Sequence, residues 1–276
     1  MSFIKLFLHD LRCGIFRKRY LVIPCLIIIP CFQLYNKLQF DGVSGSLIDY
    51  LLYTFIGIEP VQKDNPLEQI QLPILWLVLV GSSLLLNLDY MLYDLTNAGQ
   101  QVIYRCKKRS GWFISKCIWS ILSTVVFFFI LIFSEFAFVL ISGGKLSLHN
   151  SSQAFSRMFF WVNSQEVLLT IWQGIYVAIF LPLISVMTLN IMEMTLCLLV
   201  KPIISFLICM SMLVLAVYCN SPYAIGNGAM TIRSALIVEN GQNPVDTILF
   251  STVVILFCIV AGTVRFKYMD ILGMEE

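Results

Sequence analysis

Apolar runs of about 20 residues recur along this chain, separated by short polar or basic stretches. Six can be drawn: Tyr20–Tyr35, Leu72–Leu92, Trp112–Ser142, Val167–Leu189, Pro202–Cys219 and Val245–Val264. A helix rises about 1.5 Å per residue, so about 20 residues cover the ~30 Å hydrocarbon core of a bilayer. Of the 276 residues, 59% are apolar and 12% are charged, and the mean hydropathy is +0.86. Soluble domains carry about 25% charged residues. The expected fold is therefore an all-α polytopic membrane protein with six transmembrane helices, a single transmembrane domain over residues 1–276. The first run is short and must borrow from its flanks; the third is long enough to tilt or project beyond the bilayer.

Lys and Arg set the expected orientation. With the N-terminus inside, Lys5, Arg12, Arg17, Lys18, Arg19, Arg105, Lys107, Lys108, Arg109, Lys116, Lys201, Arg265 and Lys267 fall on the cytoplasmic side. That is 13 of the 18, which predicts that both termini are cytoplasmic. Arg17-Lys18-Arg19 ahead of an apolar run resembles a signal sequence. No small-residue cleavage site follows, so the run is read as an uncleaved first span. Nine cysteines, most inside apolar runs and with no CxxC, give no disulfide framework or zinc pattern.

Two segments at the inner border stand out. In residues 1–19, Phe3, Ile4, Phe7, Leu8, Leu11 and Ile15 share one helical face, and Lys5, His9 and Arg12 lie opposite. This predicts an amphipathic interface helix lying flat in the inner leaflet. In residues 94–111, Leu95, Ala98 and Val102 recur at helical spacing with Gly99 beside them. Tyr104, Arg105, Lys107, Lys108 and Arg109 follow, with Trp112 at the membrane border. The segment reads either as a plain positive-inside loop or as a short helix that docks on a soluble partner and pushes on two spans at once.

On the other side, Leu47–Ile58 is too short to span and predicts an interfacial or re-entrant helix. Met230–Val238 is a second short candidate. Phe155, Phe159, Phe160 and Trp161 suggest an aromatic belt, so these loops are expected to rest as a cap on the outer leaflet. Pro182 lies inside the fourth span and is a candidate kink.

Most catalytic signatures are missing. There is no GxxxxGK[ST], HExxH or GxSxG, and the two histidines, His9 and His149, are expected on opposite sides. The chain is read as a non-enzyme with no metal site. Its basic residues follow the membrane border, so no nucleic-acid partner is expected. Intramembrane charge is costly and usually functional. Glu135, in the third span, is a candidate for the substrate path; otherwise it sits near the headgroups or pairs with Arg157 or Lys145. Asp89 is expected to face water or pair with the Arg105–Arg109 cluster, and Glu193 to lie in the turn before span five.

The order of these features resembles the permease subunits of small six-span ABC exporters. The likeness runs through the N-terminal helix and the segment Gly99–Lys116 with Arg105, Arg109, Trp112 and Lys116. It continues in Lys201-Pro202-Ile203-Ile204-Ser205-Phe206 at the start of span five, the short outer helices, and the ending Phe266-Lys267-Tyr268-Met269-Asp270-Ile271-Leu272. The nearest likeness is to permeases that accompany peptide-antibiotic export or self-protection systems. The resemblance implies a type V exporter fold in a bacterial plasma membrane. Two permease copies, or two related permeases, would face each other across a path lined mainly by spans one, two and five. Two separate P-loop ATPase subunits would bind ATP and Mg, and this chain would bind no cofactor. The cargo would be amphipathic or hydrophobic: a peptide, antibiotic or lipid. A secondary transporter and a non-transporting immunity or scaffold protein are the competing readings. The former predicts inverted repeats or midplane charges, and neither is evident in the sequence.

Overall fold

The computed structural model describes Leu11, Gly14 and residues 18–58, 72–96, 109–159, 168–238 and 241–268. A 3-10 turn, Lys18–Leu21, leads into α1 (Val22–Phe40). There follow α2 (Leu47–Thr54), α3 (Ile74–Thr96), α4 (Arg109–Ser142), α5 (Ser152–Met158), α6 (Ile171–Leu196), α7 (Pro202–Tyr218) and α8 (Pro244–Tyr268). Four of the helical stretches are long and apolar enough to cross a membrane: Lys18–Phe40, Gly111–Ser142, Ile171–Leu196 and Pro244–Tyr268. The apolar stretches Ile74–Leu88 and Pro202–Tyr218 are shorter.

The long helices alternate in direction. α1, α4 and α7 end, and α3, α6 and α8 begin, at one pole, where the loops gather into a cap. Lys145 N–H donates to the Gly45 carbonyl (3.1 Å), joining the ends of α1 and α4. The Trp76 indole at the start of α3 donates to the Ala229 carbonyl (3.0 Å). At the opposite pole, the foot, Leu88, Trp112, Phe113, Cys197, Leu198 and Phe266 form a separate apolar cluster. At about 1.5 Å per residue, the 34 residues of α4 extend well past a ~30 Å hydrocarbon layer. The length expected of the third run is thus present.

α6 is the central helix and packs against α3, α4, α7 and α8. The outer helices turn apolar side chains away from the protein: Phe129 and Phe133 on α4, and Val253, Leu256, Phe257 and Val260 on α8, with Phe257 70% exposed. Contiguous apolar faces of this extent are not left in water by soluble folds. Facing acyl chains they need no further partner. The chain is a helical membrane protein.

Several boundaries differ from the sequence expectation. The first helical stretch runs from Lys18 to Phe40, past Tyr20–Tyr35 at both ends, so the short run borrows from its flanks as expected. α6 continues to Leu196 rather than Leu189, and Glu193 therefore sits inside a helix instead of in a turn. Tyr176–Phe180 is a π-turn, in which the Leu181 N–H reaches back five residues to the Tyr176 carbonyl. Pro182 follows at once; lacking an N–H, it fits where the α-helical ladder is already interrupted.

The cap is folded into the bundle rather than laid on a leaflet. α2 spans eight residues instead of the expected twelve, and Ile48, Asp49, Tyr50, Leu51, Leu52 and Thr54 are all buried. Its Ser46 N-cap forms a capping box with Asp49, whose Oδ2 accepts from Ser46 N–H (2.8 Å) and Oγ (2.7 Å). Asp49 also accepts from Ser151 N–H (3.3 Å), tying α2 to the start of α5. Burial raises the Asp49 carboxyl above its ordinary range, and these donors offset part of the rise. Phe155 and Phe159 are both buried and pack together at 4.6 Å, so they build core rather than a belt; Phe160 and Trp161 lie outside the described residues. Met230–Val238 contains only a 3-10 turn, Thr231–Arg233. Thr231 N–H donates to the Phe55 carbonyl (2.8 Å), a contact made possible by Gly57 at φ +70° against Met230.

Candidate functional site

Polar groups inside the bundle form one seam between α3, α4 and α6. On α3, Ser83, Asn87 and Tyr90 fall on one face at helical spacing. On α6, Asn190 and Glu193 do the same, and on α4, Lys116, Ser120 and Thr124. All are buried. At the upper level Asn190 Nδ2 donates to Ser83 Oγ (3.0 Å) and Thr124 Oγ1 (2.8 Å). One turn lower, Asn87 Nδ2 donates to the Asn190 carbonyl (2.9 Å) and to Glu193 Oε2 (3.3 Å). Lower still, Lys116 Nζ donates to Tyr90 Oη (3.0 Å) and lies over the Tyr90 and Trp112 rings at 4.7 and 5.2 Å. The seam thus runs from the interior to the foot.

At the foot the aromatic rings lock three helices together. Trp112 of α4 stacks on Phe266 of α8 at 4.7 Å and 14°, and Tyr90 of α3 lies 4.0 Å from Trp119 of α4. A Cβ on Gly262 would meet Phe113 Cζ at 2.2 Å, so only glycine lets α8 come this close to α4. The N-terminal segment reaches the same place: a Cβ on Gly14 would stand 2.1 Å from Trp119 Nε1. Tyr20, just before α1, shares a 2.7 Å hydrogen bond with Ser123 of α4.

The sequence-derived site residues divide accordingly. Trp112, expected at the membrane border, is 0% exposed and serves the foot cluster. Lys116, counted with the border cations, is also fully buried. Leu95 lies in the last turn of α3 and Arg109 opens α4, so the two ends of the 94–111 segment are continuous with long helices. Ala98, Gly99, Val102, Tyr104 and Arg105 lie outside the described residues, as do Phe3, Phe7 and Arg12; Leu11 is helical and half-buried.

Glu135 is fully buried between α1, α2 and α4. Thr54 Oγ1 donates to its Oε1 (2.6 Å), and its Oε2 has no hydrogen-bond partner among the described residues. Arg157, offered as its mate, instead pairs with Asp41 at 3.3 Å. Thr54 also lines a crevice of about 230 Å³ between α1, α2 and α3, walled by Gln33, Tyr53, Ile56, Leu72 and Trp76. This brings Glu135 to within one side chain of an apolar opening.

Sequence reasoning missed the seam, Arg233 and the position of Glu193. Arg233 is 2% exposed and meets no carboxylate among the described residues. Its Nε donates to the Ile58 carbonyl (3.1 Å). Nη1 donates to the carbonyls of Ala216 (2.7 Å) and Cys219 (3.2 Å) and to Asn227 Oδ1, and Nη2 to the Val217 carbonyl. It is a cap for the C-terminus of α7, satisfying carbonyls that the helix leaves open. Burial pulls its pKa down to about 10, which still leaves it charged at neutral pH. Compared with protein-family models, curated proteins and solved structures, the chain matches none.

Proposed function

We propose that this chain is the permease subunit of an ATP-driven ABC exporter, with six membrane-crossing helices and its foot in the cytoplasm. On this reading α3 and α7 cross the bilayer along with the four longer helices, and both termini are cytoplasmic. The cap is extracellular. A second permease faces the first, and two separate P-loop ATPase subunits bind beneath, supplying ATP and Mg chemistry that this chain lacks. The cargo is amphipathic or hydrophobic.

The observation that carries the reading is that the two ends of residues 94–111, at Leu95 and Arg109, belong to α3 and α4. A force applied there acts on two long helices whose feet are tied by Lys116, Tyr90, Trp112 and Trp119. The stack of Trp112 on Phe266 passes the same displacement to α8. The N-terminal segment, with Gly14 against Trp119, is a second lever on that foot. Thirteen of the 18 Lys and Arg lie at or near this pole in sequence, as cytoplasmic loops require. The test is purification of the chain from its native membrane in mild detergent. A P-loop ATPase should accompany it; isolation of a fully active transporter with no ATPase would refute the reading.

A secondary transporter gains one supporting observation: Glu135 and Glu193 are both fully buried carboxylates within helices. Proteoliposomes holding this chain alone separate the two. Uptake driven by an ion gradient without ATP favours the secondary transporter.

A further inference from the structure

Along the α3–α4–α6 seam, four buried oxygens have no hydrogen-bond partner among the described residues: Asn87 Oδ1, Asn190 Oδ1, Glu193 Oε1 and Ser120 Oγ, on residues joined through the seam's hydrogen-bond network. The amide orientations are fixed by their neighbours. Thr124 gives its hydroxyl hydrogen to the Ser120 carbonyl (2.9 Å), so it can only accept from Asn190, which must present Nδ2 there. Asn87 faces a carbonyl and a carboxylate, both acceptors, and must present Nδ2 to them. Both Oδ1 atoms are therefore true unmatched acceptors, and flipping either amide would make matters worse.

A set of unmatched buried oxygens calls for an occupant. A proton on Glu193 would neutralise the carboxylate but could satisfy one acceptor at most. Water would satisfy acceptors but leave the charge bare in the bundle interior. A cation does both at once. One carboxylate, two amide oxygens and one hydroxyl form the hard-oxygen donor set that alkali and alkaline-earth ions take. The single negative charge, with the Lys116 ammonium further down the seam, excludes a divalent ion on electrostatic grounds. We infer that the seam binds one monovalent alkali cation through Glu193, Asn87, Asn190 and Ser120. The ion ties the central helix to α3 and α4. The inference stands apart from the exporter reading, since either an ATP-driven or a gradient-driven protein could carry such an ion.

The test uses the purified full-length chain in lipid nanodiscs at fixed pH. Choline chloride is replaced by NaCl or KCl at constant ionic strength while thermal unfolding is followed by tryptophan fluorescence. The wild type should show a rise in Tm with Na+ or K+ that sets in near the dissociation constant and continues with the logarithm of concentration above it. Glu193→Gln and Asn87→Ala should abolish the rise, and Glu135→Gln, in a different part of the bundle, should keep it. Should Glu193→Gln not fold, Ser120→Ala must weaken the apparent affinity at least tenfold. Broadening of the 23Na resonance by wild-type nanodiscs, reversed by K+, gives a second readout. Equal Tm in all three salts overturns the inference, as does a response retained in Glu193→Gln. A Tm that rises on acidification with no cation dependence also overturns it and puts a proton in the ion's place.

Discussion

Arg233 shows how one charged side chain can organise the cap. Its guanidinium replaces water for the last carbonyls of α7 and reaches across to the end of α2. Removing it strands several buried acceptors, each worth about 1–3 kcal/mol. Arg233→Ala should therefore lower stability by about 3 kcal/mol, with Arg233→Lys intermediate because an ammonium cannot fork. Thermal unfolding of the purified variants checks this; an unchanged Tm for Arg233→Ala would mean that the cap is held by other contacts. Trp112 makes the complementary case. Being buried against Phe266 and Lys116, it should act through packing. Trp112→Ala should cost about 3–5 kcal/mol, while Trp112→Phe keeps the stack and most of the stability. An exposed docking role would instead leave both variants as stable as the wild type and impair only partner binding.

Among the elements, the long helices were legible because hydrophobic runs leave a signal that needs no tertiary context. Their ends were not. Met192-Glu193-Met194-Thr195 reads as the close of a span when hydropathy alone is weighed, yet the helix continues through Glu193, whose carboxylate is buried and accepts from Asn87 of α3. The seam did leave a trace: Ser83, Asn87 and Tyr90, and likewise Lys116, Ser120 and Thr124, repeat at one helical face of otherwise apolar runs. Only a search for polar periodicity within spans would have found it. α2 was legible as a short helix, but not its depth, because burial depends on Thr54 finding Glu135 across 81 residues of sequence. That pair sets a test of the element. Thr54→Val should destabilise by about 2 kcal/mol, since it leaves a buried carboxyl without its donor. Adding Glu135→Met to Thr54→Val should recover most of the loss, because replacing both partners of a buried polar pair by apolar groups is often neutral. A double variant less stable than Thr54→Val alone would show that Glu135 is needed by something other than Thr54.

For the whole molecule, the arrangement separates three tasks along one axis. The cap is a buried, hydrogen-bonded plug of short helices and turns. Between the poles lie two fully buried carboxylates, Glu135 of α4 toward the cap, where Thr54 of α2 meets it, and Glu193 of α6 toward the foot. The foot binds α3, α4 and α8 through aromatic rings and Lys116. On the proposed reading, a subunit driven from its cytoplasmic side receives force at the foot and transmits it along α3, α4 and α8. The measurement that addresses this most directly is ATP hydrolysis by the complex purified from native membranes, compared between wild type and the double charge reversal Arg105→Glu, Arg109→Glu. The account predicts substrate-stimulated ATPase activity in the wild-type preparation and at least a tenfold loss in the variant, with both chains inserted at equal levels. Equal stimulated rates in the two preparations, or cargo movement by wild type with no ATP hydrolysis at all, would contradict it.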